Sequence, residues 1–198
     1  MKLYFITALA ALALLSCKPK TTTEVSELVT NEQATDEASY GTLTATISFE
    51  IKLPKEEAAR FGQPTMQYLS IAAYTDEIKD LIDPDQIVLK ETSATLLIDY
   101  PLNNPARIEL KSAKPEGFTR AEILRAICDN YKQIYIEEEA SAKTKTVPME
   151  ERKGLSNRNT TDGKYGIWGH DIDDLVLSDI EVYEQDGGKM LIVPLVES

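Results

Sequence analysis

The chain has 198 residues, with 33 Asp and Glu against 21 Lys and Arg, for a formal charge of −12. Such an acidic surface is repelled by phosphate backbones and anionic headgroups, so nucleic acid is excluded as a partner. The length suits one domain of ordinary size with residues to spare for a leader and a tether.

The leader comes first in chain order. Lys2 supplies a short positive region, and Leu3 to Leu15 form an apolar stretch interrupted only by Thr7, the length and polarity of a secretory leader. It is too short for a membrane span, which takes about 20 apolar residues. The stretch ends in Leu14-Leu15-Ser16-Cys17, which resembles the bacterial lipobox. That resemblance implies that residues 1–16 are a lipoprotein signal peptide, cut before Cys17. It further implies a diacylglyceryl thioether on Cys17 and an acylated amine there, palmitate being a usual chain. Several acyl chains on one residue hold firmly, since each buried methylene contributes about 0.8 kcal/mol. The membrane is therefore the first expected partner. Lys18 is not the aspartate of inner-membrane retention signals, so the expected location is the periplasmic face of the outer membrane. With Cys17 lipidated, Cys128 has no partner, and the domain must rely on a core instead of a disulfide framework.

Residues 17–40 read as lipidated cysteine and flexible tether: from Lys18 to Ser39, Val25, Leu28 and Val29 are the only sizeable apolar residues, too few to offset ordering entropy. Residues 41–198 read as a single α+β domain. It opens on a period of two, with Leu43, Ala45, Ile47, Phe49, Ile51 and Leu53 on one face, which predicts a half-buried strand ended by Pro54. Lys55 to Pro64 reads as a polar connection. Met66 to Ile82 fits either a helix or a strand followed by a short helix. After a turn at Asp83-Pro84-Asp85, short apolar runs at Gln86 to Lys90, Ala94 to Tyr100 and Arg107 to Lys111 predict an antiparallel meander.

The clearest helix spans about 119–139. Thr119 is the expected N-cap, Glu122 completes a capping box, and Ile123, Leu124, Ile127, Tyr131, Ile134 and Tyr135 recur on one face. This helix is expected to pack on a mainly antiparallel sheet. Cys128 adjoins the same face and reads as a small buried hydrophobe. Glu137-Glu138-Glu139 read as a solvated helix end. Ala140 to Lys164 is a long polar loop, of the kind that is functional or disordered. A further apolar stretch to Tyr183, a turn at Asp186-Gly187-Gly188 and a strand from Met190 to Val196 close the chain, with Pro194 favouring an edge position or the start of a bulge.

Candidate chemistry concentrates in Tyr165 to Asp171, which holds the sole His and sole Trp in a run punctuated by Gly166 and Gly169. Aromatic rings between glycines can stack on a ligand ring, and an imidazole beside carboxylates can move protons. The candidate binding residues are Tyr165, Trp168, His170 and Asp171. The plainer reading has Ile167 and Trp168 plugging the core while the glycines turn the chain and His170 or Asp171 caps the next segment. No metal site is expected: Asp171, Asp173, Asp174 and Asp179 do not match a calcium-loop spacing, and one His with one free Cys cannot make a zinc site. No cofactor is implied, and no Gly-x-Ser-x-Gly elbow is present. The run from Gly117-Phe118-Thr119-Arg120 to Asp171 resembles bacterial proteins without an assigned activity, which implies no chemistry.

The residues support two readings of function. The first is a non-catalytic envelope module offering a surface around Gly154 to Asp171 to a small-molecule ligand or an envelope protein; no convergent nucleophile, base and oxyanion donors are seen, so no catalytic residue is assigned. The second is an envelope hydrolase in which His170 works with Asp171 or Asp173.

Overall fold

The structure, a computed structural model, describes residues 40–153 and 157–198. The leader, Cys17 and the tether up to residue 39, with Gly154 to Ser156 of the expected binding surface, lie outside the described residues. The domain is α+β, as its periodicities require, with a mainly antiparallel sheet and one long helix.

The opening alternation is shared between two strands. In β1 (Thr42–Ser48), β2 (Ile51–Lys52) and the residues beside them the expected face is buried at Ile47, Phe49, Ile51 and Leu53. Leu43 departs from it and is 50% exposed, because a register shift between Leu43 and Ala45 turns the start of β1 away from the core. At Phe49 the chain leaves the main sheet, and β2 pairs with β3 (Thr65–Met66). The connection after Pro54 contains a helix, α1 (Lys55–Phe61). Glu56 and Glu57 in its first turn and Arg60 in its last suit the macrodipole, and Gly62 stops it at φ 70°. None of its residues is buried, so it left no periodic apolar signal. The ambiguous stretch resolves as strand then helix: β4 (Leu69–Ser70), α2 (Tyr74–Glu77) and a 3-10 turn over Ile78–Asp80.

The remaining strands are β5 (Ile87–Leu89), β6 (Ser93–Ile98), β7 (Ala106–Lys111), β8 (Phe118–Thr119), β9 (Val176–Gln185) and β10 (Lys189–Glu197). The main sheet runs β1, β9, β10, β6, β7, with β4 also on β9. All its pairs are antiparallel except β10 with β6. The expected meander is only the β6–β7 hairpin, because β5 pairs with β8. The backbone N–H groups at the start of the long helix hold the segment before β5: Arg120 donates to the Gln86 carbonyl and Ala121 to that of Pro84.

Pro194 lies in a central strand and not at an edge. The register with β6 covers Leu191 and Ile192 only, so the missing N–H breaks no bond to β6. A register shift lies between Leu195 and Val196, the bulge that a proline favours. β9 and β10 join through Gly187 and Gly188, both at positive φ.

The long helix, α3 (Arg120–Ser141), starts at the capping box read from the sequence: the Thr119 hydroxyl accepts the Glu122 N–H at 3.2 Å, and the Glu122 carboxylate accepts the Thr119 N–H at 3.3 Å. Ile123, Leu124 and Ile127 are wholly buried and join Leu96, Ile180 and Ile192 of the sheet in one core. Cys128 is buried and free, and burial pushes its thiol well above the ordinary range. No helix among the described residues is long and apolar enough to cross a membrane.

Candidate functional site

The described parts of the long polar loop are tied to the end of α3. Of three consecutive carboxylates that the sequence suggested were simply solvated, Glu137 and Glu138 grip its far end around Gly163 to Gly166 and Glu139 grips its start at Thr146. Glu138 is wholly buried. It accepts the backbone N–H groups of Gly163 at 2.8 Å, Tyr165 at 2.7 Å and Gly166 at 3.1 Å. Burial pushes its carboxyl up, but the hydrogen bonds from the Thr161 hydroxyl and these N–H groups outweigh burial and hold it below the ordinary carboxylate range. Glu137 accepts from Lys164 Nζ at 2.7 Å and from the Tyr165 hydroxyl at 2.8 Å. The Lys164 bond, with those from Gln133 and Tyr165, lowers the Glu137 carboxyl to about 2. Glu139 binds the N–H and hydroxyl of Thr146 at 3.2 and 2.9 Å. Gly163 is required by this grip, since a Cβ there would stand 2.7 Å from the Glu138 carbonyl, its carboxylate and the Ser141 hydroxyl.

The Tyr165 to Asp171 segment is threaded between two neighbours. On one side Asn103 and Asn104 donate to the carbonyls of Gly166 and Tyr165, and Trp168 donates to that of Pro101, which follows a cis peptide bond. On the other side Thr161 donates to Ile167 and Arg158 to Gly169. The helix fastens both layers, Tyr131 donating to the Tyr100 carbonyl and Tyr135 to that of His170, each at 2.9 Å. Ile167 is the core plug, wholly buried, while Trp168 is only half-buried. Trp168 therefore does not plug the core: it stands edge-on to Tyr100 at 5.2 Å and to His170 at 5.8 Å. Gly166 and Gly169 adopt φ of 64° and 73°, which supplies the turns.

The candidate residues come together only in part. Trp168 and His170 share an aromatic group with Tyr100, and the Ser198 hydroxyl lies 3.3 Å from His170 Nε2 and 2.8 Å from the Tyr100 hydroxyl. Tyr165 turns to Glu137. Asp171 turns to Arg152, which holds its two oxygens at 2.7 and 3.0 Å. Its N–H is taken by the Asp174 carboxylate at the start of a 3-10 turn, Ile172–Asp174, so Asp171 does cap the adjoining segment. Asp173 is exposed, and Asp179 accepts from Gln67. No group of three or more His, Cys, Asp or Glu among the described residues could hold a metal ion.

Sequence reasoning missed Arg152 and Arg158. Both side chains are 6% exposed and converge on Asp171, Arg158 from 3.9 Å, with its guanidinium 5.2 Å from the centre of the Tyr135 ring. The only signal available was the excess of Lys and Arg over Asp and Glu in residues 143–164 of an otherwise acidic chain. Comparison with protein-family models, with curated proteins and with solved structures gives no match to this chain.

Proposed function

We propose that this protein is a lipid-anchored module of the cell envelope, held on the periplasmic face of the outer membrane through Cys17, that binds a ligand or an envelope protein without catalysing a reaction. Support for the anchor is the coincidence of the positive start, the apolar stretch and Leu14-Leu15-Ser16-Cys17. The observation that carries the binding reading is the engagement of Asp171: with both carboxylate oxygens on Arg152, it is not available to orient His170. The segment thus serves as a braced surface, tied to α3 by Tyr135 and Glu138.

The hydrolase reading has one observation in its favour, the Ser198 hydroxyl near His170 Nε2. It needs a carboxylate behind the imidazole; Asp171 is committed elsewhere and Asp173 is exposed. The experiment is metabolic labelling with an alkyne fatty acid in a bacterial host. Label is expected on the wild-type chain and absent from Cys17→Ser; label retained on the variant overturns the anchor.

A further inference from the structure

Beside the braced loop, an open cleft of about 650 Å³ lies between the last turns of α3 and the segment around Pro148, lined by Tyr135, Ile136, Ala140, Lys145, Pro148 and Arg158 among others. Its walls are chiefly apolar. Ile136 is 64% exposed although it sits on a well-packed helix, and Val147 and Met149, on either side of Pro148, are large exposed hydrophobics as well. Into these walls the sequence sets one buried cation. Arg158 Nε and Nη2 are shielded from solvent and have no acceptor among the described residues. Such donors are costly to leave unpaired.

The neighbouring carboxylates do not supply the bond. Asp171 is held by Arg152 and stands 3.9 Å from Arg158 Nη1, beyond hydrogen-bond reach. Glu139 lines the same cleft with its carboxylate on Thr146, and Asp174 is spent on the N–H of Asp171. Lys145 donates to the Glu139 carbonyl. The site therefore combines an apolar surface, an aromatic ring and guanidinium donors in want of an acceptor. We propose that this cleft binds a small organic anion, a carboxylate carried on an apolar or aromatic body, with the body on Ile136, Ala140 and Pro148 and the carboxylate on Arg158, whose shielded Nε and Nη2 turn from the Tyr135 ring toward the cleft on binding. The volume falls within the range of small-molecule sites, and a planar oxyanion matches the guanidinium fork. The inference rests on the binding-module reading and names the ligand class.

The test is 19F NMR on the full chain in a non-ionic detergent, with 4-fluorophenylacetate as the probe. The neutral 2-(4-fluorophenyl)ethanol controls for partition into micelles, and inorganic phosphate competes as an oxyanion without an apolar body. Binding of the carboxylate in the millimolar range or tighter is expected, with no saturable binding of the alcohol. Arg158→Met should weaken it about 10- to 100-fold, the loss expected for a charge-assisted hydrogen bond. Ile136→Asp, at an exposed helix position that does not bear on folding, should weaken it at least as clearly and decides the matter if Arg158→Met does not fold. Equal binding of the alcohol, affinity unchanged in either variant, displacement by equimolar phosphate, or no binding of the carboxylate would each overturn the inference. If Cys17 still takes label when the probe fails to bind, the anchored module stands and only the ligand class falls.

Discussion

At the scale of single residues, Glu138 matters most. A carboxylate inside a protein is expensive unless hydrogen bonds replace its water, and here three backbone N–H groups converge on it from Gly163, Tyr165 and Gly166. Glu138→Gln keeps the shape but turns an NH2 group toward donors. It should destabilise the domain by about 2 to 5 kcal/mol in a urea titration. A loss below about 1 kcal/mol would mean that the loop is held by its other contacts. None of this was legible in Glu137-Glu138-Glu139, because three consecutive helical residues point in three directions and only the fold decides which meets a returning loop. Trp168 shows the converse. Its type suggested a core anchor, yet the neighbouring Ile167 took the core position and left the indole half-buried among Tyr100 and His170.

At the scale of elements, α3 was the most readable part of the chain, since its capping box and its apolar spacing are local and agree. Ile127 is wholly buried in the helix's core-facing row. Ile127→Ala should cost about 2 to 5 kcal/mol in the same titration, the penalty of a cavity in a packed core; a value below about 1 kcal/mol would place the residue on the wrong face. The helix has a second use that its periodicity does not reveal. Tyr131 and Tyr135 spend their rings on the core and their hydroxyls on the carbonyls of Tyr100 and His170, so one apolar face both fills the domain and braces the candidate surface. By contrast, α1 was missed because an exposed helix carries no apolar stripe, and β5 was misjoined because the capture of its leading residues by the start of α3 is a tertiary event.

At the scale of the whole molecule, the braced loop couples the surface to pH. Glu137 and Glu138 are both held below the ordinary carboxylate range in the folded protein, Glu137 at about 2. A depressed folded value stabilises above the unfolded pKa of about 4.3, and that stabilisation is lost as pH falls through the folded value. The sole Trp lies in the held segment and reports on it. The urea midpoint followed by its fluorescence should therefore hold steady above about pH 5 and fall between about pH 4 and 2. A fall centred above about pH 5 would assign the coupling to other groups. By itself the sequence determined the α+β class, the phase of β1 from Ala45 onward, the start of α3 and the Gly187-Gly188 turn, because periodicity, caps and turns are properties of neighbouring residues. Tertiary structure alone decided that Pro194 lies in a central strand, that Asp171 belongs to Arg152, and that Arg158 is buried beside Tyr135 without a full set of acceptors. Those outcomes depend on which distant segments the packed core brings together, and no local pattern of residue types encodes such a meeting.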